Sequence, residues 1–355
     1  MIRKSKPVYV LILLLVLSLT LLGGCAKTQP AQSPTEQPVE KPYFEDKILT
    51  IIVPNSPGGG HDTAARTLAP YIQEYAGAKD VRVVNKKGGG GILGMNEVWH
   101  TKGDGETIMF ASAITHVMAY IAEDPAIEFN PTESTWLARA INKPLVLTVG
   151  EKSSIDTADD LMNLDRPYIY PAVGVDDDFY TMNVIADSLG IELNIVTGFD
   201  GEPECQVAQV QGTVDGLFTT FEKARSLVKS GDLVPIMVLN PEPVSGIADY
   251  PDGLPTVLDV VGDGPGRQAM EDIVELYALY ESFWGPPNMD PEAAAAWRDI
   301  MDKVFNNTEA MDKIVKLGGT PAYIPGAELE KMIPDLMKSA TGFKAIFDEA
   351  TAKIK

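Results

Sequence analysis

The chain has 355 residues and a formal net charge of −21, because 50 aspartates and glutamates outnumber 29 lysines and arginines. A chain this acidic argues against nucleic-acid binding, which depends on a basic surface that neutralises phosphates. Its length favours two lobes or domains over one.

The N-terminus has the pattern of a bacterial lipoprotein leader. Basic residues at positions 3, 4 and 6 precede an almost wholly apolar run from Val8 to Leu22, which is followed by Gly23-Gly24-Cys25. Small residues before a cysteine are typical of a lipobox, so we expect a signal peptide over residues 1–24 and a lipid on Cys25. The alternative is an uncleaved transmembrane helix, although the apolar run is short for a span of ~20 residues.

Residues 25–46 are predicted to be the lipidated cysteine and a disordered tether. The segment is rich in Pro, Gln, Thr and Glu, so it cannot bury enough apolar surface to offset its ordering entropy. Loss of the three basic leader residues would give the mature chain a formal net side-chain charge of −24. Anionic headgroups would repel such a chain, so lipid and not charge would hold it to the membrane. Together with the leader, this predicts an extracytoplasmic protein that is lipid-anchored to a bacterial membrane, in the periplasm or on the outer face of the cell membrane.

The remaining cysteine, Cys205, has no partner for an intramolecular disulfide once Cys25 carries a lipid. A lone cysteine outside the cytoplasm is either a reactive thiol or a small buried apolar residue. We expect burial.

Strand-like and helix-like segments alternate from residue 47 onward. The apolar run Ile48–Pro54 predicts a buried strand, and a helical pattern follows from Asp62 to Tyr75. Further strands are predicted at Val81–Asn85 and Glu106–Ser112, with a short helix between them. This spacing favours a parallel sheet with helices on its faces.

The alternation continues in the second half of the chain. Strands are predicted at Pro144–Gly150, Pro167–Gly174, Glu192–Gly198, Val214–Thr220 and Leu233–Asn240. Helices are predicted at Asp156–Leu164, Phe179–Leu189, Pro203–Gln211 and Phe221–Ser230, and the chain becomes helical again from Pro291. Two α/β units in series suggest two similar lobes with a cleft between them.

Three strands end in turns that suit an anion. The turns are Asn55–Asp62, Lys86–Gly91 and Ser112–His116, and ligands of open parallel sheets bind beyond the carboxyl ends of strands. Glycines allow close backbone approach, and the free N–H groups of a helix start attract negative charge. Asp62 is predicted to cap the helix that follows the first turn.

Other interpretations of the first turn fit less well. It lacks the Gly-Lys-Ser/Thr of a phosphate loop and the third spaced glycine of a dinucleotide fingerprint. A metal site could use His61, Asp62 and His116, although none of the three histidines has metalloprotease spacing. A catalytic triad could use Ser56, His61 and Asp62, but Ser56 is not in a G-x-S-x-G motif. The glycines could also form tight turns and nothing more.

Several motifs follow one another in an order that is specific. They are VPNSPGGGHDTAAR at residues 53–66, VVNKKGGGG at 83–91 and DGETIMFAS at 104–112, with weaker blocks at Val196–Gly201, Val207–Phe218 and Leu254–Thr256. This series resembles the substrate-binding lipoproteins and periplasmic receptors of tripartite tricarboxylate transporters, also called the Bug family. The matching residues of the first three motifs are Pro54, Gly58, Gly59, Asp62, Ala65, Arg66, Asn85, Lys86, Gly88, Gly91, Asp104, Gly105 and Thr107.

The resemblance, which extends from about Ile48 to Phe347, implies an α/β, two-lobed type II periplasmic-binding-protein fold, each lobe a mostly parallel sheet flanked by helices. It places lobe 1 at residues 47–147 plus 280–355 and lobe 2 at residues 148–279, with hinge segments near Leu145–Val149 and Leu276–Trp284. Family members bind a small carboxylate, such as a di- or tricarboxylate, an aromatic acid or an amino-acid-like molecule, and deliver it to a large and a small membrane subunit. They are not enzymes, and we expect a monomer without cofactor or metal.

We expect the ligand in the cleft, with one carboxylate between the first two glycine turns. The predicted ligand-binding residues are Asn55, Ser56, Gly59, Gly60, His61, Asp62, Gly90, Gly91, Ile92, Ser112, Ala113, His116, Gly174, Asp177, Phe179, Phe199 and Asp200. The first twelve belong to the predicted lobe 1, and the last five would close over the ligand from lobe 2.

The chain departs from the family in the second lobe. Acids occupy Asp176–Asp178, where the family has small residues, and Phe199-Asp200 stands where the family has Tyr and a Lys-like residue. If these acids face the cleft, they would repel a plain dicarboxylate or citrate, and an amine-bearing carboxylate or an anion paired with a divalent cation would fit better. The alternative is a solvated loop with a helix N-cap.

Two other functions stay open at this point. An extracytoplasmic hydrolase could use His61 and Asp62, and a sensor could present its ligand to a membrane kinase. The sequence does not separate sensing from transport.

Overall fold

A computed structural model of the chain describes residues 41–142, 144–243, 253–277 and 279–353. The predicted leader, the lipidation of Cys25 and the tether up to residue 40 lie outside the described residues. None of the helices that the structure describes has the length and hydrophobicity of a bilayer-spanning segment.

The described residues form eleven strands in three sheets. The strands are β1 (Ile48–Val53), β2 (Asp80–Asn85), β3 (Thr107–Ser112), β4 (Thr135–Asn142), β5 (Leu145–Gly150), β6 (Tyr168–Ala172), β7 (Leu193–Thr197), β8 (Gly216–Thr220), β9 (Leu233–Leu239), β10 (Glu281–Gly285) and β11 (Thr320–Pro325). Their orders are β11-β4-β10-β3-β1-β2, β8-β5-β9 and β6-β7.

The six-stranded sheet is mixed. β1 pairs in parallel with β2 and β3, whereas β10 runs antiparallel to β3 and β4, and β11 antiparallel to β4. β10 therefore returns from the C-terminal part of the chain into the middle of the sheet. Its register sets Glu281 opposite Ser112, which brings the start of β10 to the carboxyl end of β3.

Asp215 links the other two sheets. Its backbone N–H donates to Ile169 O and its carbonyl accepts from Gly150 N–H, both at 2.8 Å. Its buried carboxylate accepts from Ile169 N–H at 2.8 Å and from both terminal nitrogens of Arg166 at 2.6 and 2.7 Å. Two-point arginine–carboxylate pairs are among the stronger hydrogen bonds in proteins, so Asp215 fixes β6 beside β8.

Helices cover both faces of the sheets. They are α1 (Gly60–Ala76), α2 (Ile92–Trp99), α3 (Ala113–Ile121), α4 (Ala158–Met162), α5 (Asp177–Leu189), α6 (Glu202–Gln211), α7 (Phe221–Ser230), α8 (Val257–Val261), α9 (Arg267–Tyr277), α10 (Pro291–Phe305), α11 (Thr308–Lys316), α12 (Gly326–Ala340) and α13 (Lys344–Lys353). Because strand residues alternate between faces, Ile51 and Val53 join one apolar cluster with α1 and α10, and Ile52 joins another that extends towards β5 and α5.

The α/β prediction is confirmed, with differences in detail. The predicted helix start at Asp62 is wrong by two residues, because Gly59 is the N-cap of α1. β4 was not predicted, since Arg139 and Asn142 interrupt its apolar pattern; Arg139 Nε donates to Ala322 O of β11 at 2.7 Å. The expected burial of Cys205 is confirmed. β4 and β5 belong to different sheets, and the domain limits given above stay a prediction.

Candidate functional site

A cleft of about 1110 Å³ lies at the carboxyl ends of β1 and β3. The turn after β1, the turn after β2 and the start of α3 line one side of it. The starts of α5 and α6 line the opposite side. Several helices thus begin at the cleft, where their first N–H groups have no acceptor within the helix.

The turn after β1 presents backbone to the cleft. Gly58, at φ +81°, and Gly59 lead into α1, and the N-cap Gly59 provides no side-chain hydrogen bond. The first N–H groups of a helix have no acceptor within the helix, so the start of α1 can donate to a ligand. An anion there also gains from the helix dipole.

Asp62 braces this turn instead of capping α1. Its carboxylate accepts from the Gly58 N–H at 2.8 Å and from Arg66 Nε at 2.9 Å. Arg66 also donates to the side chain of Asn85, which in turn donates to Asn55 O. Although burial opposes ionisation, the bonds from Arg66 and Gly58 lower the pKa of the Asp62 carboxyl. The predicted N-cap is therefore corrected: Asp62, in the third helical position, ties the glycine turn to the end of β2.

The turn after β2 contains four consecutive glycines with positive φ. The angles at Gly88, Gly89, Gly90 and Gly91 are +139°, +56°, +64° and +101°. Residues with a Cβ are strained in this region, so the conformation requires glycine. The result is a second backbone-lined wall, continuous with Ile92 at the start of α2.

The two sides of the cleft approach each other at Gly90. A Cβ built on Gly90 would lie 2.7 Å from the carbonyl oxygen of Val175 and 3.3 Å from Cβ of Asp176. Nearby, Lys87 Nζ lies 3.2 Å from Oδ1 of Asp200. Both side chains of that pair are well exposed, so it contributes little energy. The absence of a Cβ at Gly90 is what permits the close approach.

Ser112 ends β3 and lines the cleft with a buried hydroxyl. Its side chain is 5% exposed, and its Oγ has no hydrogen-bond partner among the described residues. It does not cap α3, and the N–H of Ala113 is already bound to Tyr280 O at 3.1 Å. A buried hydroxyl without a partner costs free energy, and a ligand or water in the cleft would satisfy it.

Three consecutive carboxylates form the opposite side. Asp176, Asp177 and Asp178 all line the cleft and are half-buried. Asp176 is the N-cap of α5, and its Oδ1 accepts from Phe179 N–H at 3.1 Å. Burial, and next the charge of Asp177, raise the pKa of Asp176 to about 7. The same two causes raise the pKa of Asp178 well above its ordinary value. The loop therefore both caps a helix and faces the cleft.

The family model described as the tripartite tricarboxylate transporter family receptor matches residues 64–340. The chain belongs to this family. It is 29% identical to BugT of Bordetella pertussis over 126 residues, which cover 35% of this chain and 38% of BugT. The matched stretch thus spans little more than a third of that relative.

Solved structures share the receptor's fold. MatC from Rhodopseudomonas palustris with bound malate superposes with a TM-score of 0.65 at 17% identity, over 84% of this chain and 98% of MatC. Rpa4515 of R. palustris with adipate superposes with a TM-score of 0.66 at 18% identity, over 84% of this chain and 96% of Rpa4515. The periplasmic binding protein BugD superposes with a TM-score of 0.66 at 16% identity, over 86% of this chain and 97% of BugD. The predicted two-lobed periplasmic-binding-protein fold is confirmed.

The receptor brings most of the predicted ligand-binding residues together. Thirteen line the cleft: Asn55, Ser56, Gly59, Gly60, His61, Gly90, Gly91, Ile92, Ser112, Gly174, Asp177, Phe199 and Asp200. Asp62, Ala113, His116 and Phe179 are not among its lining residues. Binding by the thirteen stays a prediction.

The predicted residues that do not line the cleft are buried within the protein. His116 is fully buried among the rings of Phe129, Trp136 and Trp284, at centroid distances of 4.5, 5.7 and 4.4 Å. Burial lowers the pKa of His116 to about 3, so its ring is neutral. Phe179 is 1% exposed and lies against Tyr180. Among the described residues, no three His, Cys, Asp or Glu side chains are grouped to hold a metal ion.

Sequence reasoning missed several lining residues of the receptor cleft. They include Lys87, Thr115, Asp124, Glu202, Gln206, Lys223, Tyr280 and Glu281. Glu202 follows the predicted Phe199-Asp200 at the start of a predicted helix, so its position could have been inferred. Tyr280 and Glu281 arrive with β10 from a distant part of the chain, and nothing in their local sequence indicates a site.

Proposed function

We propose that the chain is a lipid-anchored extracytoplasmic receptor that binds a small carboxylate and delivers it to the membrane subunits of a tripartite transporter. The observation that carries the proposal is the cleft itself, where two glycine-rich turns and the start of α1 present backbone to one volume. Family membership supports it, as do the malate and adipate in two proteins of similar fold.

A carboxylate against backbone N–H groups explains how a chain with 29 basic and 50 acidic residues could bind an anion. Such groups bear partial positive charge without adding net charge, and helix starts strengthen the effect by about 0.3–1 kcal/mol each. Bridging water can extend these contacts at small cost. The hydroxyl of Ser112 would add one further donor from the end of β3.

The finer parts of the proposal concern assembly. Cys25 would carry the lipid, and residues 26–46 would tether the folded part to the membrane. The lobes would be residues 47–147 plus 280–355 and residues 148–279, which would close as a monomer around the ligand. A large and a small membrane subunit would then receive it.

Binding without turnover is part of the proposal. The carboxylate that a hydrolase would need at Asp62 is already bound to Gly58 N–H and Arg66, outside the cleft lining. We therefore expect no hydrolysis of ester or amide substrates, and no change in that result when His61 is replaced by Ala.

A thermal-shift panel tests the proposal. The full chain, purified in detergent, is unfolded in guanidinium and refolded to release any retained ligand, and its melting temperature is measured with di- and tricarboxylates, aromatic acids and amino acids. We expect at least one acid to raise the melting temperature by several degrees at saturation, since ligands that bind only the folded state stabilise it. No shift with any acid, in protein that refolds cooperatively, would contradict the proposed function.

A further inference from the structure

The described lining of the cleft is strongly acidic. Seven carboxyl side chains face it, at Asp124, Asp176, Asp177, Asp178, Asp200, Glu202 and Glu281, against two lysines. Both lysines are already paired, Lys87 with Asp200 and Lys223 with Glu202. No arginine is among the described residues that line the cleft. The described side chains of the cleft therefore neutralise only part of the charge that its seven carboxyls carry when ionised, and the pKa values of Asp176 and Asp178, raised first by burial and next by the charge of Asp177, reflect this lack of positive charge.

The excess is concentrated at the start of α5. Asp176 is occupied as the N-cap, but the carboxylates of Asp177 and Asp178 receive no hydrogen bond or ion pair in the described part of the chain. Both lie in the first turn of α5, and both line the cleft. The helix dipole favours them only modestly, so their repulsion stays largely uncompensated.

Two tyrosines stand beside these carboxylates. Tyr280 lines the cleft, and its ring stacks on that of Tyr277 at a centroid distance of 5.8 Å. Burial raises the pKa of both hydroxyls, and the next causes are the charges of Asp177 and Asp178, which line the same cleft as Tyr280. A cleft lined by both carboxylates and an aromatic ring suits an organic ammonium.

An independent observation points to a ligand in the same volume. Ser112 places a buried hydroxyl without a described partner in the cleft, at the position opposite Glu281 in the sheet. The acidic side and this hydroxyl therefore line one cavity together with the glycine turns. One molecule with groups of both charges would satisfy all three.

Building on the receptor function proposed above, we propose that the ligand is an amine-bearing carboxylate whose protonated amino group is held by Asp177 and Asp178. The glycine turns hold its carboxylate. A doubly charged acid without an amine would place a second negative charge in the acidic cleft, which is unfavourable at these distances. An ammonium fits better than a bound metal, because the described side chains form no metal-ligand group.

Matched acids test the proposal by isothermal titration calorimetry on the refolded full chain in detergent. The pairs are aspartate and succinate, glutamate and glutarate, 4-aminobutyrate and butyrate, and leucine and 4-methylpentanoate, which differ within each pair by one amino group. In the best pair we expect the amine to bind at least about tenfold more tightly. Asp177→Asn and Asp178→Asn should each lower that preference by about tenfold, as expected for a lost charge-assisted hydrogen bond.

The control is Asp187→Asn, a change at an exposed acid of the same helix, which should leave the preference unchanged. The ratio of the two dissociation constants within a pair changes when a ligand contact is lost, but not when part of the protein is unfolded. If a variant fails to fold, the ratios measured on the wild type still test the amine proposal. Equal binding within every pair would overturn the amine proposal while leaving the receptor function intact. Binding of amine-free acids only with added Mg²⁺ or Ca²⁺ would also overturn it. No binding of any acid would contradict the receptor function itself.

Discussion

The two sides of the cleft expose different chemical groups to a ligand. On one side, Gly58–Gly60 and Gly88–Gly91 expose backbone, and a network from Asp62 through Arg66 to Asn85 holds the first turn in place. On the other side, side chains dominate, with three consecutive aspartates at the start of α5. The first side attracts negative charge through oriented N–H groups, and the second repels it.

The difference indicates how one cleft can select a ligand by charge distribution. Backbone N–H groups recognise a carboxylate without adding net charge, while carboxylates reject a second one. The ligand would therefore have a fixed orientation, with its acid end towards the glycines. Changes on the two sides should have separable effects on ligand affinity and on stability.

The largest effect should come from Gly90→Ala. A Cβ there would lie 2.7 Å from Val175 O on the opposite side, so the two sides cannot approach as closely. We expect ligand affinity to fall by about 100-fold or more, which corresponds to about 2.7 kcal/mol. Gly89→Ala is the matched control, because Gly89 has a similar positive φ but no comparable clash.

Titration calorimetry with the best-binding acid compares the two glycine variants. Both should lose about 1 kcal/mol of stability through backbone strain. Only Gly90→Ala should show the large loss of affinity, and equal losses in both variants would mean that strain rather than the cross-cleft approach matters.

The next effect concerns Asp176→Asn. The pKa of Asp176 is raised to about 7 by burial and by Asp177, so the native state binds its proton more tightly than the unfolded state does. The wild type therefore loses stability as pH rises from about 4 to about 7, and the variant does not share that loss. Asn also caps helices well. Above pH 7.5 we expect the variant to be more stable by about 2 kcal/mol.

Urea denaturation at pH 4.5 and pH 8 measures this difference. Near pH 4.5 the two proteins should be almost equally stable, and the gap should open only as pH rises. A stability difference that is constant with pH, or a variant less stable than the wild type at pH 8, would show that the ionised carboxyl of Asp176 does not destabilise the folded state.

A smaller effect is expected for Asp62→Asn. Asn still accepts from Gly58 N–H but loses the charge that pairs with Arg66, so stability should fall by about 1.5 kcal/mol. Asp80→Asn removes a comparable charge from the exposed pair of Asp80 and Arg82, and should cost less than about 0.5 kcal/mol. If urea denaturation gives equal losses for both variants, Asp62 does not brace the glycine turn.

The smallest effect is expected for Ser112→Ala, which should not lower the stability of the ligand-free protein, because the buried hydroxyl has no described partner to lose. Ligand affinity should fall by about tenfold through loss of one hydrogen bond. Ser282→Ala is the control: its hydroxyl donates to Leu279 O at 3.1 Å, so it should cost about 1 kcal/mol of stability. Thermal melts and calorimetry separate these outcomes, and a stability loss in Ser112→Ala equal to that in Ser282→Ala would contradict a ligand role.

Local patterns predict the glycine turns and eight of the eleven described strands, but not β4, β10 or β11. Apolar runs fix β1 and β3, and consecutive glycines after a strand indicate a turn in which backbone is exposed. Their convergence on one cleft also follows, since parallel strands end at the same edge of a sheet. This is why the nine predicted lining residues that follow β1, β2 and β3 lie together, whereas the other four follow β6 and β7 of a separate sheet.

Long-range geometry made other features unpredictable. Ser112–His116 was interpreted as one turn, but α3 begins at Ala113, so His116 points from its first turns into a cluster of aromatic rings. Asp62 is bound by Arg66, which also binds Asn85 at the end of β2, and it does not line the cleft. Tyr280 reaches the cleft because β10 inserts beside β3.

Hydrogen–deuterium exchange on the full chain tests most directly whether both sides hold one ligand. Exchange is followed by mass spectrometry with and without the acid that raises the melting temperature most. We predict simultaneous protection of peptides covering residues 57–62, 88–92 and 174–180. Protection confined to one side of the cleft, or located elsewhere in the chain, would contradict binding between the glycine turns and the aspartates.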